Sequence, residues 1–275
     1  MRGVCRNASG AVSQIGSDGG VINGATRSTN GSASPTRHCI PPKYHNWAKL
    51  IPQITAQVIA AAKAIGATVL VAGNVYVYGT APGPWGPDTP HRPNSRKGRI
   101  RAAMEAAYAK AATNGIRAII LRGADFIAPN DSRAIWNIIT LKPQAKGAIT
   151  CFGCPDTPRA YAHLPDMARA AVALAEIRAP LSAFTDVPLP GLTLSMANLA
   201  AEIIAQTGQP LRTKPFEWWL IRLLSPFWGL TRELLKMRDL FDLSHSLSPE
   251  TLARLLPDFK PAPLNQVVAE HLHHA

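Results

Sequence analysis

Apolar residues recur at Trp47, Leu50, Ile51, Ile54, Val58, Ile59 and Ala62. That spacing lays them on one face of a helix. Asn46 stands where an N-cap belongs and Gly66 where the helix must stop. The pattern then changes. Residues 68–72 are almost continuously apolar, as in a strand buried on both faces. The strand breaks at Gly73-Asn74, closes on Tyr78-Gly79, and opens into a loop stiffened by Pro82, Pro84, Pro87, Pro90 and Pro93. A second helix is predicted over 96–114, burying Ile100, Met104, Ala107, Tyr108 and Ala111, with Gly115 closing it. A second buried strand is predicted over 117–121. Helix and strand alternating at this short spacing predict parallel α/β units.

Downstream the same reading gives a loop over 122–129, a short helix over 132–139 and a strand over 146–151. Asp166 is expected to cap a helix over 167–176. A strand over 181–185, a turn at Pro190-Gly191, a helix over 195–207 ended by Gly208 and a short strand over 211–214 follow. Residues 216–241 are helical and unusually apolar, read as two short helices broken at Pro226 that serve as ordinary core. His271, His273 and His274 fall on a solvated tail. Residues 1–37 show no helical or strand period and few large apolar side chains. Such a segment cannot offset the entropy of ordering itself, and 1–40 is expected to be disordered or non-native. Gly16, Gly19, Gly20 and Gly24 do not form a GxGxxG turn between a strand and a helix.

The net charge of +12 is unevenly spread. Residues 41–160 hold 15 Lys/Arg against 5 Asp/Glu, whereas 161–275 hold 10 against 11. The positive field over the first of these regions suits an anionic small molecule. No basic run interleaved with aromatics marks a nucleic-acid groove, so no nucleic acid is expected. Cys151-Phe-Gly-Cys154 is a CxxC, read as two small residues at the end of a strand; no metal is expected. No apolar run reaches the roughly 18–20 residues of a membrane span, and no apolar signal core opens the chain. The expectation is a cytoplasmic protein without a membrane partner.

From Pro41 onward the chain resembles the extended short-chain dehydrogenase/reductase family, which includes the NAD-dependent epimerases and dehydratases. VLVAGNVYVYG is similar to the family's "VYG" strand end, and RPNSRKGRIRAAME to its tyrosine–lysine helix start. IRAIILRGADFIAP resembles the strand and loop that follow, AYAHLPDMARAAVAL the next strand and helix, and LLPDF…PL the tail of one subgroup. The resemblance implies a partial Rossmann-like, doubly wound parallel sheet over 41–150 whose N-terminal part is missing. A smaller, mostly helical substrate-side region over 151–275 would be interleaved with it. It further implies NAD or NADP as cofactor, a nucleotide sugar or related carbonyl compound as substrate, and a homodimer as an assembly the family allows. In register, Asn74 stands at the family's catalytic Ser/Thr, Lys97 at its Tyr and Arg101 at its Lys. Asn74 and Lys97 are thus the catalytic candidates, with Arg101, Tyr78 and Pro129 toward the cofactor. Arg101, always protonated, disfavours the charged form of Lys97. The alternative is that Lys97 and Arg101 are solvated or hold a phosphate without proton transfer. On that reading the chain is a non-catalytic dinucleotide sensor or partner-binding protein. The change in composition at Cys39 is read as the mark of a truncated or frame-shifted family member.

Overall fold

The computed structural model describes residues 25–27, 33–35, 46–129, 131, 134–227, 229–236 and 238–272. The glycines at 16–24, Cys5, Cys39, Ser132, Trp228, Met237, His273 and His274 lie outside the described residues. Strands β1 (Ala25–Arg27) and β2 (Ala33–Pro35) pair antiparallel within the stretch expected to lack order. Helix α1 (Trp47–Ile65) and strand β3 (Thr68–Gly73) follow, then helix α2 (Arg96–Ala112) and strand β4 (Arg117–Arg122). Both helices lie where the sequence implies, α2 ending at Ala112, two residues before the expected end. Gly66 takes the left-handed conformation that ends α1, and Ser95 caps α2 by accepting from the Gly98 N–H at 3.0 Å. Asn46 precedes α1 but makes no side-chain cap.

Beyond Arg122 the topology grows more elaborate than the sequence suggests. The stretch read as a loop contains strand β5 (Asp125–Ile127). The expected helix over 132–139 is a π-helical turn, Trp136–Thr140. Next come β6 (Ala148–Cys151), β7 (Arg159–His163), α3 (Leu164–Glu176), β8 (Phe184–Pro188), β9 (Leu192–Leu194), α4 (Met196–Thr207) and β10 (Arg212–Pro215). The apolar 216–241 stretch forms three short helices: α5 (Trp218–Leu224), α6 (Gly229–Leu235) and α7 (Arg238–Asp242). Helices α8 (Glu250–Leu255) and α9 (Leu264–Leu272) close the described chain. Asp166 does not cap α3. The helix starts at Leu164, and Asp166 sits in its first turn, accepting from the Ala262 N–H at 2.8 Å and from Arg169 at 2.6 Å.

The main sheet is parallel, in the order β3-β4-β8. Its alternation explains the two helical layers. Val69, Val71, Ala118 and Ile120 face α1 and α2, packing with Ile51, Met104 and Tyr108. Ala72, Ile119, Leu121 and Val187 face α3, packing with Met167, Ala170 and Leu174. Each such branched side chain, taken fully from water, contributes about 1.5–3 kcal/mol. The remaining strands form two further sheets, β6 parallel to β10 and a mixed β5-β7-β9. Together with α4 and α9 these enclose a second core around Trp136, Tyr161 and Leu199. Among the described residues no helix is long and apolar enough to cross a membrane.

Candidate active site at the strand ends

The C-terminal edge of a parallel sheet is where such folds carry ligands. There β3 ends in Asn74, whose extended backbone starts a 3-10 turn, Val75–Val77. The Asn74 carboxamide oxygen accepts from the Tyr76 N–H at 3.2 Å, so the side chain caps that turn. The first turn of α2 lies directly against it. A Cβ at Gly98 would overlap the Tyr76 carbonyl oxygen, so only glycine permits this approach. Gly79 lies equally tight against the Arg92 carbonyl, at a positive φ of 64°. The Arg92 N–H donates to the Val77 carbonyl at 2.8 Å. The Asn74 turn and the first turn of α2, distant in sequence, are thereby packed together.

Beneath them lies Arg122, at the end of β4. It is fully buried and donates to the Asn74 carbonyl at 2.6 Å, to both Glu105 oxygens at 3.2 and 2.8 Å, and to Asp186 at 2.5 Å. Its guanidinium carbon lies 5.1 Å from the centre of the Tyr78 ring. Burial opposes its charge, but Asp186 and then Glu105 more than offset this, holding Arg122 protonated. One side chain thus joins the ends of β3, β4 and β8 to α2. His91 approaches Glu105 at 3.6 Å. His91, Glu105 and Asp186 bring ligand atoms within 4.8 Å of one another, as a cation site would. Arg122, hydrogen-bonded to both carboxylates, already supplies the positive charge there. Sequence reasoning passed over Arg122, Asp186 and His91. The available signal was an arginine closing an apolar strand, a position that demands a counter-charge when buried.

The other candidates fall as follows. Lys97 and Arg101 are 6% and 1% exposed, so the alternative in which this pair is solvated does not hold. Arg101 turns toward α1, its guanidinium 5.4 Å from the Trp47 ring centre and in contact with the Met104 sulfur at 3.6 Å. Tyr78 is enclosed. Its ring stacks on Trp85 at 5.1 Å, Trp85 stacks on His245 at 4.6 Å, and its hydroxyl donates to the Gly86 carbonyl at 3.2 Å. Trp85 pins the proline-rich loop to the C-terminal segment through backbone bonds with Ser246 and Ser248 at 2.9 and 2.8 Å. Pro129 follows β5 and is half-buried. Burial pushes the phenols of Tyr78, Tyr108 and Tyr161 up, so none of these three is poised to replace the family's acidic tyrosine. Cys151 ends β6, where it donates to the Gly153 carbonyl at 3.0 Å and burial pushes its thiol up; Cys154 is exposed.

No glycine-rich turn linking a strand to a helix N-terminus, the usual seat of a dinucleotide pyrophosphate, occurs among the described residues.

Comparison with known proteins agrees with this architecture. No curated protein matches the chain. Among solved structures, MoeE5 in complex with UDP-glucose and NAD aligns over 85% of this chain and 75% of its own, at 17% identity and a TM-score of 0.63. UDP-glucuronic acid 4-epimerase from Bacillus cereus aligns over 86% and 72%, at 16% identity and a TM-score of 0.65. UDP-glucose 4-epimerase from Brucella ovis aligns over 84% and 71%, at 18% identity and a TM-score of 0.60. At these identities the likeness is one of fold. Residues 48–182 match the model of the NAD dependent epimerase/dehydratase family. Over that segment, the chain is similar to the NAD dependent epimerase/dehydratase family.

Proposed function

We propose that the protein acts as an NAD(P)-dependent epimerase, dehydratase or reductase on a nucleotide sugar or related carbonyl compound. The observation that supports this best is the close approach of the first turn of α2 to the Asn74 turn, which Gly98 permits. It brings the backbone of the first α2 turn, which carries Lys97, against the turn that Asn74 caps. Similar folds bind UDP-sugars and NAD: MoeE5 is in complex with UDP-glucose and NAD, and the Bacillus cereus epimerase with UDP-glucuronic acid and NAD. Hydride transfer would be the chemistry of the bound nicotinamide. The chain's own residues orient the substrate and manage its proton. Asn74 offers an amide N–H to the reacting oxygen while its carbonyl oxygen stays on the turn. Lys97 anchors the substrate or exchanges a proton with the hydroxyl being oxidised.

A second reading has one observation in its favour. Arg101 packs on Trp47 and Met104, in place of the lysine that lowers the tyrosine's proton affinity in the family. A chain so altered would bind dinucleotide, or a partner, without turnover. Fluorescence titration with NADH and NADPH, followed by turnover assays on UDP-sugars, separates the two. Turnover that is lost in Lys97→Met supports the first reading. Binding without turnover supports the second as a dinucleotide sensor, and absence of binding refutes both the enzyme and the sensor.

A homodimer is the assembly we propose for either reading. Between α1 and α2 runs a groove of about 460 Å³, apolar at Ile51, Pro52, Ile59, Ile100 and Met104, with Arg96 and Arg99 on its α2 wall. From residue 50 to 62, α1 carries no charge, although Pro52, Gln53, Ala56, Gln57, Ala60 and Ala61 all face outward. Small uncharged residues beside a groove suit close packing of the same two helices from a second copy.

A further inference from the structure

Helix α5 turns Trp218 inward, half-buried, and exposes an apolar outer side. Inward, Trp218 is fixed by three aromatic contacts, with Phe152, Phe216 and Phe241, and its indole N–H donates to the Phe152 carbonyl at 2.6 Å. Outward, Trp219, Leu220, Leu223 and Leu224 recur at helical spacing, and Phe227 extends the exposed apolar surface into the turn after the helix. Trp219 is 65% exposed, Leu223 62% and Phe227 88%. Single exposed apolar residues are ordinary, but a contiguous stripe with two large aromatics is not. The anchored inner face holds this stripe outward; it is not a surface left by a loose end.

The charges around it select the occupant. From β10 to α6, residues 212–236 hold five basic residues, Arg212, Lys214, Arg222, Arg232 and Lys236, against two acidic ones, Glu217 and Glu233. All five basic residues are exposed, and Arg222 lies within the striped helix itself. Helix α6 packs back on α5, so its basic side chains accompany the hairpin. The whole chain carries a net charge of +12, which adds long-range attraction to an anionic surface. Tryptophan, leucine and phenylalanine on one side with arginine and lysine beside them are the chemistry of a helix lying in the headgroup layer. A second copy of this chain would bring like charge against like charge.

We propose that the α5–α6 hairpin docks on an anionic lipid surface. Trp219, Leu223 and Phe227 enter the acyl boundary, and the basic side chains engage headgroup phosphates. The contact is peripheral, since the hairpin is far too short to span a bilayer. It does not depend on the catalytic reading, because the strand ends and this hairpin use different residues.

The test is co-sedimentation of the full chain with vesicles of phosphatidylcholine alone and of phosphatidylcholine containing about a third phosphatidylserine, the anionic headgroup that attracts basic segments. The expected result is binding to the anionic vesicles only, a blue shift of tryptophan emission on binding, and loss of binding at high salt. The double variant Leu223→Asp, Phe227→Asp should bind about tenfold more weakly or worse, because two inserted apolar groups are replaced by anions. Should that variant fail to give the wild-type circular dichroism spectrum, Phe227→Ser, at the most exposed position, carries the test in its place. Absence of wild-type binding to anionic vesicles overturns the proposal. So does equal binding by the variant, or light scattering in which the stripe mediates a dimer that the variant dissociates.

Discussion

Replacing Arg122 by Met tests whether one guanidinium holds the strand ends together. Glu105 and Asp186 are buried around it, at 2.8 and 2.5 Å. At an effective dielectric of about 20, an ion pair at 2.8 Å is worth about 6 kcal/mol before desolvation is counted. Most of that is cancelled by taking the three charges out of water. The measurable quantity is the cost of removing one partner and stranding the others, about 3–5 kcal/mol. A domain stable by about 5–15 kcal/mol would lose a large part of its margin. The assay is urea unfolding at pH 7. In the variant the two carboxylates face each other without the guanidinium that bridged them. Adding Glu105→Gln and Asp186→Asn to Arg122→Met should recover most of the loss. Arg122→Lys should fall between, because an ammonium cannot reproduce the fork that spans both acids. A loss below about 1 kcal/mol, or no recovery in the triple variant, refutes the reasoning.

Three further outcomes follow from the same geometry. Gly98→Ala should cost about 1–3 kcal/mol in thermal or urea unfolding and displace Lys97 from the Asn74 turn, because the added methyl overlaps the Tyr76 carbonyl. Acid should destabilise the fold in two stages. Burial against Trp85 lowers the proton affinity of His245, so stability starts to fall as pH drops below about 6.5, and His245→Phe should remove that stage. For Asp166, burial alone would raise the carboxyl's proton affinity, but bonds from His163, Arg169 and the Ala262 N–H hold it below the usual range. Its contribution is present above about pH 4 and lost as pH falls through the folded value; Asp166→Asn should lower stability at neutral pH and flatten this second stage in a pH series of urea midpoints. Finally, Ile59→Glu should convert a dimer to a monomer in light scattering; unchanged mass would exclude the α1–α2 groove as the contact.

The main sheet was legible because its signals are local. Period and punctuation alone located α1, β3, α2 and β4 to within a residue or two. Beyond β4 the strands are three to five residues long and the signal is weaker: β6 and β10 lie within two residues of expectation, but β8 starts three residues after the expected 181 and β9 carries no signal of its own. Strand β5 is invisible in sequence, since Asp125-Phe-Ile has no alternation and is recruited only by β7. Asp166 misled for a physical reason: an acidic residue before an apolar run looks like a cap, but here its bonds go to the C-terminal segment. At the site, family register singled out Asn74 and Lys97, but only coordinates bring Asp186 onto Arg122. The apolar 216–241 stretch reads as core because sequence cannot tell an inward apolar face from an outward one when both are present.

Asn74 is where stability and chemistry can be separated. Its side-chain oxygen caps the 3-10 turn, so Asn74→Ala should cost about 0.5–2 kcal/mol. From a stability of at least about 5 kcal/mol, such a loss leaves the unfolded fraction near or below about 1%. Folding alone therefore cannot lower the turnover number noticeably. Asn74→Ser keeps an oxygen for the cap and a hydroxyl for the substrate; Asn74→Asp keeps the cap and brings a negative charge to the reacting oxygen. If Asn74 acts on the substrate, Ser should retain turnover while Ala and Asp lose about tenfold or more, with stability falling only in Ala. If all three turn over at the wild-type rate, Asn74 is a cap and nothing else. The proton relay must then be sought at Lys97 without it.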